Sequence, residues 1–366
     1  MITKKANLFH VINNVYFKKI EPISVVHFLT NRCNARCSFC FIDFDNPNTF
    51  KNELTLNEID KLTKSFGKSL LNVNLTGGEP FARKDIIEIA KSYVKNTTIQ
   101  SIYITTNASL PERVENFAKT ITSLDKNIEL TFQISIDDLP KEHDRVRKIE
   151  NLFDSCIDTY QRLKKINERI NPMVSITVSH ENCENIENIF EYLTKKCNIT
   201  SLKCTIVRDE GVYKTPKEKK EKIYKAYTWL TNKIQEMTNQ KKLNSYNSKS
   251  LQGKLHRRKD EISMDLVRKM YLEPKYISPC HAGSLFGIIT ASGSVYPCEI
   301  LEDKILGNLR NYDMNFMKIW QNSTTSDTKN YILKNNCNCT YECALTYNIL
   351  GNWRYQPKLI KSFLNF

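Results

Sequence analysis

No stretch of the 366-residue chain comes near the roughly 18 consecutive apolar residues that a bilayer-spanning helix needs, so no membrane partner is expected. The opening residues, Met1-Ile2-Thr3-Lys4-Lys5-Ala6-Asn7, carry neither a long apolar stretch nor a small-residue cleavage site. No secretory signal is therefore expected, and the cytoplasm is the default compartment. No internal repeat is found. Zinc-finger spacing and RNA-binding aromatic motifs are missing as well. The net charge of +14 (54 Lys and Arg against 40 Asp and Glu) is spread along the chain with a general excess of Lys and Asn, which argues against a nucleic-acid partner. The 40% hydrophobic and 26% charged content fits an ordinary folded protein. The length allows one large domain with an appendage, or two domains.

Cysteine is plentiful, with twelve residues. In a reducing compartment such clusters read first as metal sites or catalytic groups, not disulfides. Cys33, Cys37 and Cys40 form a tight set, and Cys280, Cys298, Cys337, Cys339 and Cys343 crowd the C-terminal third. Cys156, Cys183, Cys197 and Cys204 lie among apolar residues and are expected to be packed in the core.

From residue 24 to about 240, short β-branched runs alternate with amphipathic stretches. Strands are expected at residues 24–29, 71–75, 101–105, 128–136, 173–178 and 201–207. Helices are expected between them. In the first, Thr55 and Glu58 read as a capping box and Gly67 as the stop. Six strand–helix units imply an α/β fold with a parallel sheet, either open or a partial barrel, and ligands at the carboxyl ends of the strands. Residues 213–275 are Lys-rich and largely helical, with a loop expected at 239–254.

Cys33-x3-Cys37-x2-Cys40 begins in the loop after the first strand. Three thiolates so close together suit an iron–sulfur cluster or zinc. Zinc sites of this type usually have a second cysteine pair nearby, and here the next cysteine is Cys156. A four-iron cluster held by three thiolates leaves one iron open to an outside ligand. Four polar motifs end the next strands: Gly77-Gly78-Glu79-Pro80, Thr105-Thr106-Asn107, Ser135-Ile136-Asp137 leading to Arg147, and Arg208. Glycines let backbone approach a ligand closely.

With Phe39 just before the last cysteine, this arrangement resembles the radical S-adenosylmethionine (SAM) superfamily over roughly residues 22–210. The resemblance implies a partial (β/α)6 barrel and a SAM-binding [4Fe-4S] cluster on Cys33, Cys37 and Cys40. It also implies SAM contacts from Gly77, Gly78, Glu79, Pro80, Asn107, Ser135, Asp137, Arg147 and Arg208. The implied chemistry is one-electron cleavage of SAM to methionine and a 5′-deoxyadenosyl radical that abstracts hydrogen from a substrate. An electron donor such as flavodoxin or ferredoxin is implied with it.

Cys280, a strand–turn–strand run over residues 286–296, Gly293-x4-Cys298, Gly307-Asn308-Leu309 and the late cysteines resemble a small C-terminal SPASM or twitch domain. A full SPASM domain has more cysteines and two auxiliary clusters, so one auxiliary [4Fe-4S] cluster is expected here. By family spacing its ligands are Cys280, Cys298, Cys343 and Cys339, with Cys337 as competitor. The expected layout is an N-terminal extension (1–22), the core (23–240), a basic linker or helix (241–275) and the cluster domain (276–366). The expected substrate is a ribosomally made peptide or protein. About 22 residues before the first strand are too few for a leader-binding domain, so a separate peptide-binding partner would supply one. A sugar or aminocyclitol dehydrogenase or epimerase is the alternative. No catalytic residue stands out.

Overall fold

The computed structural model describes residues 6–209, 211–244 and 251–364. The strands are β1 (Ser24–Thr30), β2 (Asn72–Gly77), β3 (Ser101–Thr106), β4 (Glu129–Ser135), β5 (Ile170–Val178), β6 (Leu202–Ile206), β7 (Phe286–Ile289), β8 (Ser294–Tyr296) and β9 (Gly307–Asn308). They form one nine-stranded sheet in the order β6-β5-β4-β3-β2-β1-β7-β8-β9. Strands β1 to β6 run parallel in chain order, joined by helical crossovers. All six expected strands are present, with ends displaced by at most three residues. The edges of the sheet are β6 and β9, so the barrel is partial.

Side-chain alternation decides what each face does. On β2, Val73 and Leu75 are fully buried, whereas Asn72, Asn74 and Thr76 are half-buried on the other face. Ile59 and Leu62 on the helix Leu56–Lys64, and Ile89, Ala90 and Tyr93 on the helix Ile86–Asn96, join the same buried core. The Thr55–Glu58 capping box forms. That helix stops at Ser65 instead of Gly67, because the Ser65 hydroxyl donates to the Leu62 carbonyl and satisfies the last turn.

The expected hairpin is present, with Ile288 opposite Tyr296 and Ile289 opposite Val295. Its first strand does more than the sequence suggested. β7 pairs in parallel with β1, with Ser24 opposite Phe286 and His27 opposite Ile289, so the C-terminal segment extends the barrel's own sheet. A Cβ at Gly287 would come within 2.6 Å of the Trp320 ring, which is why this strand position has no side chain. Trp320 itself is fully buried and stacks on Phe316 at 5.1 Å. Of the loop expected at 239–254, residues 245–250 lie outside the described residues, and the helix Leu251–Met270 claims the rest from Leu251 on. This helix packs on the helices Glu342–Leu350 and Gln356–Leu364. Among the described residues no helix is long and apolar enough to cross a membrane.

Trp320→Ala is expected to cost about 3–5 kcal/mol in denaturant unfolding, as for other large aromatic truncations in a core. Trp353→Ala, at a residue 60% exposed, should cost about 0.5 kcal/mol or less.

Candidate active site

A cavity of about 310 Å³ opens at the carboxyl ends of the parallel strands, within the usual size range for a small-molecule site. The loop after β1 supplies Cys33, Cys37 and Cys40 to its wall. Gly77 and Gly78 come from the end of β2, Asn107 and Ser135 from the ends of β3 and β4, and Arg147 from the helix Pro140–Arg147. Arg208 follows β6, and the C-terminal segment adds Glu299, Tyr341, Glu342 and Cys343. The structure therefore gathers most of the expected site residues around one space. Glu79, Pro80 and Asp137 are not on its wall; the two carboxylates stand behind it and hold those that are.

Glu79 is 1% exposed, and both of its oxygens are engaged within the protein. Oε1 accepts from the Phe81 amide (3.0 Å) and the Thr106 hydroxyl (2.8 Å), and Oε2 accepts from the Asn107 amide (2.7 Å). Burial nonetheless pushes its pKa up to about 7. Its role in this geometry is to pin the end of β3. Asn107 then reaches Asn34 (2.8 Å) and approaches the Cys33 thiol at 3.8 Å. Gly77 has φ +141°, and a Cβ there would lie 2.2 Å from the Thr30 carbonyl oxygen. A Cβ on Gly78 would lie 2.3 Å from that of Arg32. The glycine pair thus lets the end of β2 lie directly against the start of the cysteine loop, where the Gly78 and Glu79 amides donate to the Thr30 and Arg32 carbonyls (2.7 and 2.9 Å).

Asp137 binds Arg147 through two hydrogen bonds from Nε (2.9 Å) and Nη2 (2.6 Å), both side chains being under 10% exposed. Its other oxygen accepts from the Thr177 amide at 2.9 Å. The Arg147 and Val146 carbonyls accept from the Arg36 and Ser38 amides (3.0 and 3.3 Å), so the cysteine loop hangs from the end of this helix. His143 is buried and accepts from the Asp137 amide at 3.2 Å; burial, then the Arg147 charge, lower its pKa to about 3. Arg208 is engaged with the C-terminal segment. It pairs with Glu299 (3.2 Å) and Glu342 (3.5 Å) and lies 4.6 Å from the Tyr341 ring, while Tyr341 donates to Glu299 (2.8 Å).

All five C-terminal cysteines join one apolar cluster with Phe286, Ile332 and Tyr341. Cys280 and Cys298 flank the hairpin, and the Cys337 amide donates to Ile332 at the end of the helix Ser323–Lys334. Burial, and then the charge of Cys280, push the Cys337 thiol up to about 11 and the Cys339 thiol up to about 12. Cys343 differs, since it alone of the five lines the barrel cavity. Among the described residues no three His, Cys, Asp or Glu side chains are gathered tightly enough for a single metal ion. An iron–sulfur cubane binds each thiolate on a different iron and needs no such common centre. An all-thiol donor set of three on a cavity wall, with a second set buried in an apolar pocket, fits clusters of that kind. Cys156, Cys183 and Cys204 are buried and Cys197 half-buried, as expected.

Other cavity residues went unread in the sequence: Asn74, Gln133, Ser175, Thr177, Lys203 and Thr205, all on strands. Their signal was the period-two polar alternation inside runs such as Asn72-Val73-Asn74-Leu75-Thr76. A closed (β/α)8 barrel fills its interior with Val, Ile and Leu; a polar interior marks a binding space. Glu299, Tyr341 and Glu342 had no signal, because only the fold brings them to the cavity. Asp137→Ala should lower stability by about 3–5 kcal/mol in denaturant unfolding, since it strands a buried guanidinium. Adding Arg147→Met to it should recover a large part of that loss.

The model of the radical SAM superfamily matches residues 28–193, and that of the SPASM iron–sulfur cluster-binding domain matches residues 280–344. The chain is 29% identical over 168 residues to GTP 3′,8-cyclase of Haemophilus influenzae, covering 45% of this chain and 48% of that one. It is 29% identical over 185 residues to Fe-coproporphyrin III synthase of Methanosarcina barkeri, covering 49% and 43%. The chain thus spans less than half the length of these curated relatives. Its fold is similar to that of anSMEcpe solved with bound AdoMet, with a TM-score of 0.62 at 18% identity over 94% of this chain and 96% of that one. It is also similar to Streptococcus suis SuiB bound to S-adenosylmethionine, with a TM-score of 0.57 at 17% identity over 85% and 68%. The two domains imply [4Fe-4S] clusters and SAM as cofactors. A cysteine triad at the head of a parallel barrel and a second thiol set on the strand that extends it agree with these matches: the chain is a radical SAM superfamily enzyme with a C-terminal SPASM domain.

Proposed function

We propose that this enzyme uses SAM to abstract hydrogen from a ribosomally made peptide or protein. The observation that carries the reading is the shared cavity, whose wall combines Cys33, Cys37 and Cys40 with Glu299, Tyr341 and Glu342 from the C-terminal segment. Cys33, Cys37 and Cys40 would hold the SAM-binding cluster. When bound, cluster and SAM together supply a one-electron cleavage that gives methionine and a 5′-deoxyadenosyl radical. Gly77 and Gly78 let the strand end lie against the start of the cysteine loop, beside which SAM would bind. Asn107, Ser135 and Arg147 would orient SAM, with Asp137 and Glu79 fixing their positions from behind. The wall contributed by the C-terminal segment would exclude water and face the substrate.

A peptide substrate is favoured by how far each similarity extends. Structures titled anSMEcpe with bound AdoMet and Kp18Cys peptide, and SuiB bound to precursor peptide SuiA, match 94% and 85% of this chain. The likeness to GTP 3′,8-cyclase stops at 45%. We further propose a single auxiliary cluster on Cys280, Cys298, Cys339 and Cys337. This replaces the spacing-based preference for Cys343, because Cys280 bears electrostatically on Cys298, Cys337 and Cys339, whereas none of the four bears on Cys343, which lines the barrel cavity as well as the apolar cluster.

Anaerobically prepared enzyme given SAM and dithionite should release 5′-deoxyadenosine. Cys33→Ala, Cys37→Ala and Cys40→Ala should each abolish this, and an active variant would contradict the site. Iron analysis should find about eight irons per chain from two four-iron clusters. The double variant Cys280→Ala/Cys298→Ala, left with two of those four thiols, should retain about four by the same arithmetic. A wild-type value near twelve would instead mean a second auxiliary cluster.

A further inference from the structure

Among the described residues the cavity wall carries three cations, Arg147, Lys203 and Arg208. Two are engaged: Arg147 with Asp137, and Arg208 with Glu299 and Glu342. Lys203 makes no ion pair and no side-chain hydrogen bond among the described residues. Burial works against its charge, but Asp260 and then Glu342 more than offset this, so its pKa is raised and it stays an ammonium. Neither acid pairs with it. Asp260 is paired with Lys259 at 2.8 Å, and Glu342 with Arg208 at 3.5 Å. A cation held inside a fold without a partner is costly, and an anion entering the cavity would relieve that cost.

The neighbours of Lys203 are uncommitted as well. Ser175 stands opposite it on β5, and Thr205 follows two residues on along β6, so the three side chains share the face that lines the cavity. Neither hydroxyl makes a hydrogen bond among the described residues. Across the barrel, the buried Oδ1 of Asn74 also has no partner. Polar side chains that hold the fold behave differently. Asn72, on the same face of β2 as Asn74, donates to the Ser101 hydroxyl at 3.0 Å, and the Thr106 hydroxyl donates to Glu79 at 2.8 Å. Lys203 also lies in the field of Glu342 and Cys343, beside the wall from the C-terminal segment that is proposed to face the substrate.

We propose that Lys203, with the Ser175 and Thr205 hydroxyls, binds a carboxylate of the substrate, so that the enzyme selects peptides presenting an acidic side chain or a free C-terminus to the cavity. The proposal rests on the peptide reading of this cavity. An ammonium brings three rotatable donors, two hydroxyls add two more, and bonds from such donors to a carboxylate are charge-assisted.

The test uses the anaerobic, cluster-loaded full chain with SAM and three pools of heptapeptides whose flanks are random but free of Asp and Glu. One pool has a central Glu and both ends blocked, the second a central Gln and both ends blocked, and the third a central Gln and a free C-terminus. Binding is measured by equilibrium dialysis. The wild type should bind one of the carboxylate pools roughly tenfold or more tightly than the blocked Gln pool, and which one identifies the source of the carboxylate. Lys203→Met and Lys203→Gln should lose this preference, and Lys203→Arg should keep part of it. Structural damage alone would weaken all three pools alike and leave the preference standing. A wild type with no preference, or with no binding of any pool, would overturn the subsite. So would a preference that survives in Lys203→Met or Lys203→Gln, including the case in which those variants lose affinity only for SAM. A wild-type enzyme that cleaves no SAM with dithionite would refute the proposed function instead, and the dialysis would still decide the subsite.

Discussion

The guanidinium of Arg147 is held by Asp137 in a nearly solvent-free pocket, and the peptide carbonyl of the same arginine holds the Arg36 amide of the cysteine loop. The cysteine loop buries Ala35 and Ile42 and packs Phe39 against the core, and its backbone is further fixed by polar contacts. It takes its position from this hub and from the glycine pair behind it. Asp137 also binds Thr177 on the neighbouring strand, so one carboxylate ties three segments together. Buried ion pairs often add little net stability, but losing one partner is costly. Their value here is that they define where the thiols stand.

The second organising element is the continuous sheet. Because β7 is a parallel neighbour of β1, the strand that leads into the cysteine loop and the strand next to the auxiliary thiols share a ladder of hydrogen bonds. The two thiol sets are then fixed relative to each other by backbone geometry. The Arg208 contacts with Glu299, Glu342 and Tyr341 close the cavity from the β6 side. The same contacts place charged groups of both signs on the cavity wall.

Much of this was legible in the sequence where the chemistry is local. Strand positions, the Thr55–Glu58 cap and the Cys33–Cys40 spacing are short-range patterns, and each survives in the structure. The roles of Glu79 and Asp137 were not legible. A carboxylate in a motif reads as a ligand group, yet the same carboxylate surrounded by backbone amides organises the loops behind the site. Arg208 does line the cavity, but its pairing with Glu299 and Glu342 was not legible, since these partners lie about ninety residues and more further along the chain. The parallel β7–β1 pairing was hidden too, because a four-residue strand carries no sign of which sheet it will join.

The central claim is that Cys33, Cys37 and Cys40 hold a cluster with one iron open to SAM. The most direct measurement is the electron paramagnetic resonance spectrum of the reduced Cys280→Ala/Cys298→Ala variant, which retains the triad but lacks two of the auxiliary thiols. The account predicts a cluster signal that changes shape when SAM is added. An absent signal, or one indifferent to SAM, would contradict it.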